Sequence, residues 1–228
     1  MAKISRVSLH RKRELEKPDR FMAMLQAGAA FVSRNRRVVV TTAGLVLVAA
    51  VIAAAVAYWN EKSEASAANQ LAAIMNEAAA SGPDAETSAA LRDRYQSLYQ
   101  EHGGSLAGKI AGLHYADACY RSGDTAAAMA TYRQLASDFR GTPLFRRLAL
   151  EGLGYACEAA EKTEEAAEAF RQITEDQRLV PQDQALFNLA RIYDQMGKVQ
   201  QSRALFARLA KEYPDSLYAP LARQYQAG

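Results

Sequence analysis

The spacing of apolar residues changes along this chain, and each change predicts a different kind of helix. From Val38 to Trp59 the sequence reads VVVTTAGLVLVAAVIAAAVAYW, an apolar run without a charge. At 1.5 Å per helical residue such a run reaches roughly 33 Å, enough to cross the hydrocarbon core of a bilayer. Arg34, Arg36 and Arg37 stand just before it, and Glu61, Lys62 and Glu64 just after. Upstream, Phe21, Met24, Leu25, Gly28, Phe31 and Val32 fall near helical spacing, so residues 19–33 read as an amphipathic helix with Pro18 and Asp19 as start signals. Two roles fit that helix: lying on the membrane surface ahead of the span, or docking a membrane partner from the cytosol.

Beyond the apolar run the pattern becomes periodic. Aromatic residues recur at Tyr95, Tyr132, Phe170 and Phe206, spaced by 37, 38 and 36 residues. An aliphatic residue follows three positions later each time, at Leu98, Leu135, Ile173 and Leu209, and His102, Phe139 and Tyr213 come four beyond three of these. These spacings keep the side chains on one helix face. The preceding segments recur as well: Tyr115-Ala116, Leu153-Gly154 and Leu189-Ala190 correspond. Turns follow at Ser122-Gly123-Asp124, Glu161-Lys162-Thr163 and Met196-Gly197-Lys198. Each unit is therefore helix, short turn, helix, with breaks near Gly141-Thr142-Pro143, Pro181 or Pro214. Small residues at Ala116, Gly154 and Ala190 let paired helices approach, and Tyr132, Phe170 and Phe206 fill the space between them. One unit cannot bury its own apolar face, so the units must stack.

The predicted architecture is all-α: a single transmembrane helix followed by an α-solenoid. Residues 1–37 form a basic head, 38–59 the span, 60–105 a linker and first helical pair, 106–215 three repeats, and 216–228 a capping helix. Within the linker region Glu64–Ala80 and Ala85–Glu101 read as helices interrupted by Ser81-Gly82-Pro83-Asp84.

Charge sets the orientation. Residues 1–37 hold ten Lys and Arg, including Lys3, Arg6, Arg11, Lys12, Arg13, Lys17 and Arg20, against Glu14, Glu16 and Asp19. The head is thus +7 and the remainder −4, an asymmetry hidden in the overall +3. By the positive-inside rule the head stays in the cytoplasm and the rest lies outside, in the periplasm of a bacterium, with residues 38–59 in the inner membrane. A cleaved signal peptide is the rival reading, because Ala55-Val56-Ala57 fits an A-x-A site. The long basic segment, the length of the run and the interfacial pair Tyr58 and Trp59 favour an uncleaved anchor. Attraction to anionic lipid accounts for the head more simply than nucleic acid does.

Catalytic signals are missing. His10, His102 and His114 have no metal-ligand spacing, and no phosphate loop, dinucleotide fingerprint or nucleophile elbow occurs. We expect no catalytic residue, cofactor, metal or small-molecule substrate. His102 has a packing or helix-end role by alignment. Cys119 and Cys157, 38 residues apart, occupy equivalent places in adjacent units. They fit buried packing residues, or a disulfide between neighbouring repeats if their Cα atoms come within about 7 Å.

The repeat pattern resembles the tetratricopeptide repeat. Leu186, Leu189, Ala190, Tyr193, Gly197, Phe206, Leu209 and Pro214 fall on that family's preferred positions, with Ser202 in place of the usual Ala; Leu153, Gly154, Ala166 and Phe170, and Ala116, Gly123, Ala128 and Tyr132, match in the earlier units. The resemblance implies a concave protein-binding groove lined by Leu113, Asp117, Tyr120, Glu151, Tyr155, Glu158, Phe187, Arg191 and Asp194. Asp117, Tyr155 and Arg191 stand where the family's carboxylate clamp has Asn, so capture of a chain end is not expected. With its basic head, a PDxF-like motif (Pro18-Asp19-Arg20-Phe21), one span and periplasmic repeats, the layout is similar to the YfgM type of ancillary subunit of the Sec translocon. That resemblance implies an adaptor or chaperone whose partners are the Sec translocon and periplasmic chaperones. The alternative is a structural scaffold in envelope assembly or cell division.

Overall fold

The computed structural model describes residues 20–80 and 85–227. Among these residues it is all-α, with ten helices and no strand. They are α1 (Arg20–Arg34), α2 (Arg36–Ala80), α3 (Ala85–His102), α4 (Leu106–Arg121), α5 (Thr125–Asp138), α6 (Pro143–Ala159), α7 (Thr163–Glu175), α8 (Asp183–Gln195), α9 (Val199–Glu212) and α10 (Ala219–Ala227). Pro18, Asp19, His10, the basic residues before Arg20 and the break at Ser81-Gly82-Pro83-Asp84 lie outside the described residues.

The chain divides into Met1–Trp59 and Asn60–Gly228. In the first unit the helical hydrogen bonding passes through Asn35: its N–H donates to the Phe31 carbonyl at 2.9 Å, and its carbonyl accepts from Val39 at 3.0 Å. The apolar run has no side chain buried by protein; Leu45 is 70% exposed and Trp59 73%. Its polar members are satisfied within the helix. Thr41 Oγ1 donates to the Arg37 carbonyl at 2.9 Å and Thr42 Oγ1 to the Val38 carbonyl at 2.8 Å. Such back-bonding leaves no hydroxyl in need of water. This is the one helix among the described residues long and apolar enough to cross a membrane. It is 45 residues long, more than twice the apolar run, because no Gly or Pro interrupts the alanine-rich stretch from Asn60 to Ala80.

The second unit begins with that alanine-rich stretch. Ala67, Leu71 and Ile74, four and three residues apart, are buried with Tyr95 and Leu98 of α3 and Ala107 and Ala111 of α4. Glu64 caps α4: its carboxylate accepts from the Leu106 and Ala107 N–H groups at 2.7 and 3.0 Å. A negative group at these orphan donors suits the positive end of the helix dipole. Ser63 Oγ lies 3.1 Å from His102 Nδ1, which ties the end of α3 to the same corner.

Helix pairs α4/α5, α6/α7 and α8/α9 follow, each helix packed on its neighbours in sequence. Tyr132, Leu135, Phe139, Phe170 and Ile173 share one continuous core, and Phe206 and Leu209 a second with α10. The pairs sit close because a ring of one helix lies against a glycine of another. A Cβ at Gly154 would stand 2.5 Å from the Phe170 ring, and one at Gly152 would stand 2.4 Å from that of Tyr132. The turns after α4 and α8 place Gly123 and Gly197 at φ 85° and 72°, whereas Glu161 takes the equivalent place after α6 at φ 58°. Cys119 and Cys157 are both buried free thiols, as packing residues require.

Candidate functional site

The predicted groove residues belong to the first helices of the pairs, α4, α6 and α8. Along α6, Glu151, Tyr155 and Glu158 follow one another at four and three residues, which puts them on one face. Helix α8 meets that face. The Tyr155 hydroxyl accepts from Gln184 Nε2 and Asn188 Nδ2, each at 2.7 Å, and the ring packs edge-on against Phe170 at 5.4 Å between centroids. One turn on, both carboxylate oxygens of Glu158 accept from an Arg191 guanidinium nitrogen at 2.6 and 2.8 Å. One turn back, Glu151 pairs with Arg147 of its own helix. Burial pushes the Glu151 carboxyl upward, and the Arg147 charge and hydrogen bond oppose that shift.

Other members are placed differently. Phe187 stacks on Tyr218 at 5.1 Å and meets Phe206 edge-on at 5.9 Å, so the segment leading into α10 covers part of it. Asp117 accepts a hydrogen bond from the Tyr132 hydroxyl, a contact inside the α4/α5 pair. That hydrogen bond and, above all, burial drive the Tyr132 phenol far above its ordinary range. Tyr120 and Asp194 are exposed. Leu113 and Glu151 are each 8% exposed, Leu113 within the core that holds Tyr132 and Leu153. The structure thus brings Tyr155, Glu158 and Arg191 into one ladder between α6 and α8, with Phe187 beside it. It leaves Asp117 and Tyr120 on the neighbouring pair.

Sequence reasoning missed Gln184, Asn188 and Tyr218. A signal for the first two was present. The repeat equivalent of Tyr155 is Arg191, and the residue packed across from it lies a turn earlier, at Asn188, with Gln184 a turn before that. Tyr218 lies past the last repeat and has no such register.

The ladder's groups are hydrogen-bond donors, acceptors and ion pairs that satisfy one another. His114 is stacked on Tyr95 at 4.9 Å; burial lowers its pKa, with Asp117 pulling the other way. Among the described residues no group of three or more His, Cys, Asp or Glu is placed to hold a metal.

Residues 184–216, which cover α9 and all of α8 after Asp183, match the tetratricopeptide repeat family. No curated protein matches the chain. The protein contains a tetratricopeptide repeat and is all-α among the described residues, and that repeat is a protein-interaction fold.

Proposed function

We propose that the protein is a non-catalytic, membrane-anchored adaptor or chaperone that binds other proteins at the Sec export channel. Residues 38–59 are the anchor, the basic head is cytoplasmic, and three repeats over residues 106–215 stand in the periplasm of a bacterium. The observation that carries this reading is the pairing of an apolar run with no buried side chain with a repeat unit whose apolar residues are largely buried. A soluble protein would leave that run facing water at a cost of roughly 25 cal/mol for each Å². In lipid the same surface needs no cover.

The α6–α8 ladder, with the exposed Asp194 of α8, is the surface proposed to hold the partner. Its mixed charges and aromatic rings suit a partly apolar polypeptide better than a chain-terminal carboxylate. Crosslinking in intact bacterial membranes, followed by mass spectrometry, tests the assignment. The expected products contain translocon subunits and periplasmic chaperones. Products confined to cell-division or envelope-assembly proteins would replace the adaptor with a scaffold.

A further inference from the structure

Helix α1 has no part in the reading above, although an inference about it rests on the anchor proposed there. Met24 and Phe31 stand seven residues apart, as do Leu25 and Val32, so two helical turns bring all four onto one side. All four are exposed, Met24 at 76% and Phe31 at 63%. Gln26, Ala30 and Ser33 fall on the opposite side.

Length, charge and hydrogen bonding together indicate what covers the apolar side. Val38–Trp59 already spans a bilayer core, and a straight helix from Arg20 to Trp59 would reach roughly 60 Å, twice that thickness. Helix α1 therefore lies outside the span. It either stands in water with its apolar side bare or turns onto the membrane surface. Asn35, the single residue between α1 and α2, is the joint for such a turn. From Arg20 to Trp59 there is no Asp or Glu, whereas Arg20, Arg34, Arg36 and Arg37 are cations. The phosphates of anionic lipid complement such a segment. Small polar groups are satisfied from within the chain. Ser33 Oγ donates to the Ala30 carbonyl at 3.0 Å and Asn35 Nδ2 to the Phe31 carbonyl at 3.2 Å. Thr41 and Thr42 bond in the same way inside the apolar run. That economy of water continues past the arginines into α1.

We infer that α1 is an interfacial helix, lying along the membrane surface on the side of the basic head. Met24, Leu25, Phe31 and Val32 face the acyl chains, and the arginines meet anionic phosphates. Anchoring then has two parts: a span that fixes the chain and a surface helix that selects the lipid.

The test uses the full chain, one copy per nanodisc, in phosphatidylethanolamine mixed with phosphatidylglycerol. A bimane label sits on Met24→Cys, Gln26→Cys or Val48→Cys, and lipids brominated in their acyl chains are the quencher. Cys119 and Cys157 are buried, which directs the label to the new thiol. Met24→Cys should be quenched about threefold more than Gln26→Cys, because an interfacial helix lies roughly 5–10 Å deep and the two positions face opposite ways. Arg34→Glu should lower the ratio of membrane-bound to free α1 about fivefold or more in these discs, and leave it unchanged in discs of phosphatidylcholine alone. Equal quenching at Met24 and Gln26, strong or absent, overturns the proposal. So does an Arg34→Glu effect of the same size in both lipids. The discs hold no other protein, so a helix that docks only on a membrane partner leaves Met24→Cys unquenched. Val48→Cys separates the two readings. If it is quenched and Met24→Cys is not, the surface helix fails and the anchor stands; if it escapes the quencher, the anchor fails and the surface helix with it.

Discussion

Alanine is abundant in both units of the chain and ends in opposite surroundings. In the second unit Ala116, Ala128, Ala149, Ala166 and Ala190 are fully buried between paired helices. In the apolar run the alanines are exposed, as are Val51 at 61% and Ile52 at 57%. The residue type supplies helix in both places; the surrounding polar residues decide what the helix packs against. Where polar positions return at helical period, one side is left to water and the other closes on a neighbour. Where twenty-two residues pass without a charge and the two threonine hydroxyls bond within the helix, no side is left to water, and we read the solvent of that segment as lipid.

Truncation of equally apolar residues in the two units sharpens the contrast most. Phe170→Ala should destabilise the second unit by about 3–5 kcal/mol, because it empties the contact with Gly154 and Tyr155. Ile52→Ala should leave the same urea transition, followed by circular dichroism of the detergent-solubilised chain, where it is. A drop from both substitutions would mean that the apolar run is core.

Charge insertion reverses the ranking. Ile52→Lys should cost about 2.5–3.5 kcal/mol of membrane insertion, seen as a chain extracted from membranes by alkaline carbonate. Gln201→Lys, on the exposed side of α9, should change neither extraction nor unfolding.

Smaller effects lie within the repeats. Glu161 holds the left-handed turn that glycine holds in the units on either side. Glu161→Gly should raise the unfolding free energy by about 0.5–1 kcal/mol, the relief of a strained φ less the entropy glycine gives up. At the end of α7, Arg178, through its side chain and backbone N–H, and then Arg146, hold Asp176 at about 2 against an ordinary 3.8. A lowered folded pKa stabilises above the ordinary value and is lost as pH falls toward 2. Asp176→Asn should therefore flatten part of the acid limb of the stability profile and lower the plateau slightly, since the side chain is still partly exposed to water. An unchanged limb would mean that the pair contributes nothing.

The helix pairs were legible because their signal is periodic and redundant. Tyr132, Phe170 and Phe206 with Leu135, Ile173 and Leu209 mark every second helix, and all six are buried. Contacts made once were not legible. Gln182 is buried in the α7–α8 connection, where its amide donates to the Ile173 and Asp176 carbonyls at 2.8 and 2.9 Å and accepts from Arg208 at 3.0 Å. Nothing in a polar linker residue announces that role, because it follows from a tertiary approach with no repeat counterpart. Glu64 on α4 and Tyr218 on Phe187 are of the same kind.

The most direct test of the account is a reporter fused after Gly228. A phosphatase that folds only in the periplasm should be active, and a fluorescent protein that matures only in the cytoplasm should be dark, with both fusions retained in the membrane fraction. A bright fluorescent fusion with a silent phosphatase would place the repeats in the cytoplasm and contradict the anchor, the orientation and the export-channel assignment together.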